Sequence, residues 1–177
     1  MAGSRTLKRT FNVGQLGMNA ANATTGVWTI QLSSGLYSLH KAAAGTTSVV
    51  NIPVPHGPRG GVPWNEDAAI SIIEMIYLVG TANLTSAPTV ALNKQLYLAS
   101  GGTGVASTST VANTLTFSGV DTVGTAFGNS TTGAHVAVAT ITTPVTLQDQ
   151  ESLIYTITMN EGATSVLDIF GICVTYL

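Results

Sequence analysis

Glu151–Leu177 reads ESLIYTITMNEGATSVLDIFGICVTYL, and this stretch decides the fold class. Leu153, Tyr155, Ile157 and Met159 alternate with Ile154, Thr156 and Thr158. A period of two is the signature of a strand with one face inward. Asn160–Thr164 is short, polar and contains Gly162, as a hairpin loop would be, so the two strands are expected to pair. In the return strand, strict alternation sets Val166, Phe170, Ile172, Val174 and Tyr176 on one face. Leu167, Ile169, Cys173 and Leu177 fall on the other. A strand apolar on both faces needs cover on both. Either a neighbouring subunit or a loop of the same chain can supply the second cover.

The same period continues upstream. Thr25–Leu32 (TGVWTIQL) alternates Trp28, Ile30 and Leu32 with Thr29 and Gln31. Further strands are predicted at Thr46–Val54, Thr89–Leu98, Val111–Phe117 and His135–Thr142. Ile70–Val79 follows Asn65-Glu66-Asp67, a good helix start. Its Ile and Val content favours a strand, because β-branched side chains lose χ1 freedom in a helix. Ile52–Trp64 (IPVPHGPRGGVPW) has four prolines and three glycines and is expected to be extended and outside any sheet. Ala99–Thr110 (ASGGTGVASTST) and Val123–Gly133 read as exposed loops. Many short strands with no clear helix predict an all-β chain, a jelly-roll-like antiparallel β-sandwich of about eight strands. Residues 1–20 are expected to form an extended N-terminal arm, and residues 21–177 one sandwich domain.

Composition narrows the function classes. Charged residues are 8% of the 177, hydrophobic ones 45%, and the net charge is −2. That balance excludes disorder, which needs few apolar residues and much charge. It also argues against a lone monomer, since an isolated domain keeps more surface charge. Arg5, Lys8 and Arg9 make the N-terminus basic, and no Lys or Arg follows Lys94. Such an arm can lie on the acidic surface of a neighbour or reach toward packaged nucleic acid. The overall charge does not suit nucleic-acid binding. One cysteine, Cys173, rules out an internal disulfide and reads as a buried thiol. Met1–Arg5 does not open a signal peptide, and no apolar run has the length of a membrane-spanning helix. Synthesis in the cytoplasm is the expectation.

The residues that could carry chemistry are sparse. His40, His56 and His135 lack the spacing of a zinc site, so no metal and no cofactor is expected. His40 and His56 read as surface residues. The acids are too isolated for a paired-carboxylate mechanism, and no G-x-S-x-G elbow is present. Gly101-Gly102-Thr103-Gly104 lacks the lysine of a phosphate loop. Asp168 interrupts an apolar strand, so it needs a partner, which Arg59 or Lys94 could supply. No enzyme activity is expected. Trp64 and Phe127 are the loop aromatics through which a sugar could be held.

The Thr/Ala/Val-rich strands and the closing ESLIYTITMNEGATSVLDIFGICVTYL resemble small jelly-roll virion structural proteins of tailed phages, of the capsid cement or decoration type. The last strand is also similar to that of trimeric TNF/C1q-like domains, which packs near the threefold axis. The resemblance implies a homo-oligomer, a trimer, that binds and reinforces the lattice of a major capsid protein, with the virion as its location. On that reading Ile169, Cys173, Thr175 and Leu177 form the self-interface. Arg5, Lys8, Arg9, His56, Arg59 and Trp64 contact the capsid. The alternatives are a receptor- or glycan-binding fibre module, with its loops at Gly101–Thr110 and Val123–Gly133, and a minor jelly-roll coat protein.

Overall fold

A computed structural model describes residues 6–13, 16, 28–33, 35–41, 48–57, 68–80, 88–98, 105–117, 132–148, 150–159 and 166–177. These form eleven strands: β1 (Leu7–Asn12), β2 (Trp28–Ser33), β3 (Leu36–Lys41), β4 (Ser48–Val54), β5 (Ile70–Gly80), β6 (Thr89–Leu98), β7 (Val105–Thr110), β8 (Asn113–Phe117), β9 (Gly133–Val145), β10 (Glu151–Met159) and β11 (Val166–Tyr176). One sheet runs β2-β3-β11-β5-β9-β8, with β1 pairing β11, and the other runs β4-β10-β6-β7. All pairings are antiparallel.

The protein is an all-β antiparallel sandwich. Without β1, β2 and β8, the orders β3-β11-β5-β9 and β4-β10-β6-β7 are those of a jelly roll, two Greek keys folded over each other. The core lies between the sheets. Ile73, Met75, Tyr77 and Val79 of β5 face Val50 and Ile52 of β4, Leu92 of β6, and Leu153, Tyr155 and Ile157 of β10 within one buried cluster. Each such aliphatic side chain removed from water contributes about 1.5–3 kcal/mol.

Some expectations hold and others change. β10 and β11 lie in different sheets and do not pair as the expected hairpin; the loop expected at Asn160–Thr164 lies outside the described residues. A two-layer fold lets each of these apolar strands find its cover across the sandwich. Ile70–Gly80 is a strand, and its alternating burial matches the β-branched pattern. Val105–Thr110 is β7, paired with β6, where a loop was expected. Val and Thr suit a pleated edge, and Ser and Thr can face water there. Ile52–Val54 belongs to β4, and Pro53 fits because β4 is the outermost strand of its sheet. Within the arm expected over residues 1–20, residues 7–12 form β1, laid along β11 from Leu7↔Tyr176 to Asn12↔Gly171.

The faces of β11 also differ from strict alternation. Its register against β5 shifts between Ile169 and Gly171, so Phe170 is an extra residue. A bulge inverts the parity of everything beyond it. Leu167 and Ile169 therefore join Ile172, Val174 and Tyr176 on the core side. Asp168, Gly171, Cys173 and Thr175 take the outer side, small or polar residues in place of the second apolar face expected.

Candidate functional site: the β2–β3 ribbon and its anchorage

β2 and β3 form a hairpin with continuous register from Trp28↔Lys41 to Ser33↔Leu36. Gly35 in its turn has φ +82°, a conformation that costs a side-chain-bearing residue and suits glycine. Ladder pairing between β3 and β11 is confined to Leu39, His40 and Lys41. Further along, the same edge of β11 is taken by β1, beginning at Asn12↔Gly171. The hairpin therefore parts from the sheet towards its turn.

The root of the ribbon is held firmly. Trp28 and Leu39 are buried in the core. Lys41 is covered as well, and burial pushes its ammonium below the usual lysine value. On the outer side Asp168 is buried. Its Oδ1 accepts hydrogen bonds from Ser38 Oγ at 2.9 Å and Gln31 Nε2 at 3.2 Å, and pairs with His40 Nδ1 at 2.9 Å. One carboxylate thus ties β2 and β3 to β11. These are the partners that Asp168 requires. Lys94 pairs instead with Glu151 at 2.7 Å. Burial pushes the Glu151 carboxyl up, but Lys94 and the Gln148 amide outweigh it and hold it below its ordinary value. His40, expected at the surface, is mostly covered by this network. Ser38 donates to Asp168, so these three residues do not make a nucleophile–base relay.

The far end of the ribbon is bare. Ile30 is 56% exposed, Leu32 65%, Leu36 61% and Tyr37 59%. Among the described residues, only Leu7 and Leu177 are also large, apolar and exposed. Register places Ile30, Leu32 and Tyr37 on the same face of the hairpin as Trp28 and Leu39. At the fork, Thr10–Asn12 and Gly35–Tyr37 face each other over Ile76, Phe170 and Gly171. They line a cleft of about 440 Å³.

The expected site residues fall elsewhere. Ile169, Cys173 and Thr175, expected at a seam with another copy, are buried within their own chain. The bulge turns Ile169 into the core, and Thr10 Oγ1 donates to Cys173 Sγ at 3.4 Å. Leu177 is exposed. Lys8 is exposed on β1 and pairs with Glu74 at 2.5 Å, which raises its pKa. Arg9 and His56 are exposed. Arg5, Arg59, Trp64 and Phe127 lie outside the described residues. His135 packs against the Tyr77 ring at 5.4 Å. Among the described residues no group of His, Cys, Asp or Glu could hold a metal, and no helix is long and apolar enough to cross a membrane.

No protein-family model matches the chain. No curated protein matches it. Among solved structures it is similar to a low-affinity xylan-binding module, CBM86, from the gut symbiont Roseburia intestinalis. The TM-score is 0.42 and the identity 10%, over 97% of this chain and 96% of that one.

Proposed function

We propose that this protein is a non-catalytic structural subunit that assembles with itself, a virion protein of the capsid cement type that reinforces a major capsid lattice. The observation that carries the reading is the bare apolar ribbon on a jelly roll with 8% charged residues. Water-exposed apolar side chains gathered on one element mark a contact surface. Little charge surrounds them to keep copies apart. A cement subunit acts by mass action: contacts made only with the assembled shell stabilise that shell. The exposed Lys8 and Arg9 on β1, and His56 beside β4, are the capsid-facing residues in this reading.

The test is co-sedimentation of the purified chain with empty capsids assembled from the major capsid protein encoded beside it. Saturable binding and a raised capsid melting temperature are expected. A source genome with no virion genes nearby, or shells that pellet without the chain, overturns the capsid assignment.

The cleft favours a second reading, a glycan-binding module. Tyr37, Phe11 and Phe170 offer ring surface around it, with Asn12 at its wall. Binding on a glycan array that Tyr37→Ala abolishes would put this reading first.

A further inference from the structure

We propose that β2 is the self-association seam, its open edge pairing antiparallel with β2 of a second copy about a two-fold axis. The inference rests on the reading of the chain as a self-assembling subunit and names the surface and the partner. β2 ends its sheet, and among the described residues no strand lies along its outer side. Ser33 and Leu36 are paired with two residues between them in sequence, and the closing pair of such a hairpin exchanges both its backbone hydrogen bonds. The pattern alternates along the ladder, so Gln31↔Ser38 and Thr29↔His40 do the same. The N–H and C=O groups of Trp28, Ile30 and Leu32 are left turned to the open edge. A row of such groups is a template for another extended strand.

Folded proteins guard edges of this kind with charge, proline or a bulge. The other edges carry such guards or lack an apolar display. β1 bears Lys8 and Arg9, and β4 bears Pro53. β7 reads VASTST, and its last three residues are exposed and polar. β8 has Leu115 turned into the core. β2 reads WTIQLS, with no charge, no proline and no register shift, and it exposes Ile30 and Leu32.

The pattern fits a second copy of the same strand. Antiparallel neighbours that lie opposite share a face. About a two-fold axis normal to the sheet, the even residues of one β2 therefore meet the even residues of the other. Ile30 falls opposite Ile30 or Leu32 of the second copy, and the outward backbone groups of both strands meet in the same register. The contact is isologous, as two-fold contacts are. No charged side chain of either strand is brought against its like, and the net charge of −2 opposes the approach only weakly.

The experiment is analytical ultracentrifugation of the full chain across the micromolar range, for the native sequence and for Ile30→Lys. The native chain is expected to form a dimer or an even-numbered assembly. Ile30→Lys is expected to weaken association at least about tenfold, because a charge is then buried in the seam in either register, and like charges oppose where Ile30 meets Ile30. Hydrogen exchange of the native chain gives a readout that needs no variant. The Ile30 and Leu32 amides are expected to gain protection as concentration rises. An unchanged association constant in folded Ile30→Lys, a trimer, or amides that exchange equally in monomer and assembly would overturn the seam and leave self-assembly standing. A native chain that stays monomeric throughout overturns both.

Discussion

At the scale of single residues, Asp168 connects the ribbon to the body. Its carboxylate sits on the outer side of β11, buried, with three polar neighbours converging on one oxygen. Removing it leaves the Ser38 hydroxyl, itself buried, without its acceptor. An orphaned buried polar group costs about 1–3 kcal/mol, more when a charge was involved. Asp168→Ala is therefore expected to lose about 2–4 kcal/mol in urea unfolding. The residues next to the ribbon turn should lose amide protection first. An Asp168→Ala chain as stable as the native one would show that the network contributes nothing. The need for a partner was legible from a carboxylate within an apolar strand. The partner's identity was not, because Ser38 and His40 reach Asp168 only once β3 lies beside β11.

At the scale of elements, the phase of β11 is set by one extra residue. Alternation identified the strand and its length, and Ile172, Val174 and Tyr176 as a shared face. It misassigned Leu167 and Ile169 because a bulge at Phe170 leaves no mark in a run of apolar residues. Gly171 follows at once, and its position has a mechanical reason. A Cβ there would lie 2.2 Å from the Phe11 carbonyl oxygen and 3.0 Å from Asn12 Cα, both backbone atoms of β1. Gly171→Ala is expected to push β1 off β11 and destabilise the fold by about 1–3 kcal/mol, the usual cost of overpacking. Hydrogen exchange should show Leu7–Asn12 deprotected while β5 and β9 stay protected. Unchanged protection of β1 would show that the strand yields without detaching. β1 itself was hidden from the sequence reading. LKRTFN has no clean alternation, and its place depends on the β11 edge that β3 leaves free.

At the scale of the whole molecule, global stability should fall steeply in alkali. Burial pushes the Tyr155 hydroxyl well above its ordinary value of 10.0 and that of Tyr176 up to about 12. Tyr176 is also engaged, donating to the Pro55 carbonyl at 3.0 Å. Both groups stay neutral in the folded chain while the unfolded chain ionises above pH 10. The unfolded state then binds fewer protons, so stability falls as pH rises. Each tyrosine contributes about 1.4 kcal/mol per pH unit to that fall. Their contribution is fully present below pH 10 and lost progressively as the pH climbs towards 12. Urea midpoints measured from pH 8 to 12 should be flat with respect to these groups at first and then drop. A flat profile to pH 12 would mean that neither hydroxyl is shielded.

Sequence alone determined that this chain is a β-sandwich with a shared apolar interior, because period-two patterning and β-branched content are local properties. Tertiary structure alone decided which apolar residues remain in water. Ile30 and Leu32 belong to the same alternating pattern as Trp28, yet Trp28 is buried and they are not. The difference is where β3 departs from β11 and β1 takes its place. That depends on strands far apart in the chain, so no local pattern encodes it.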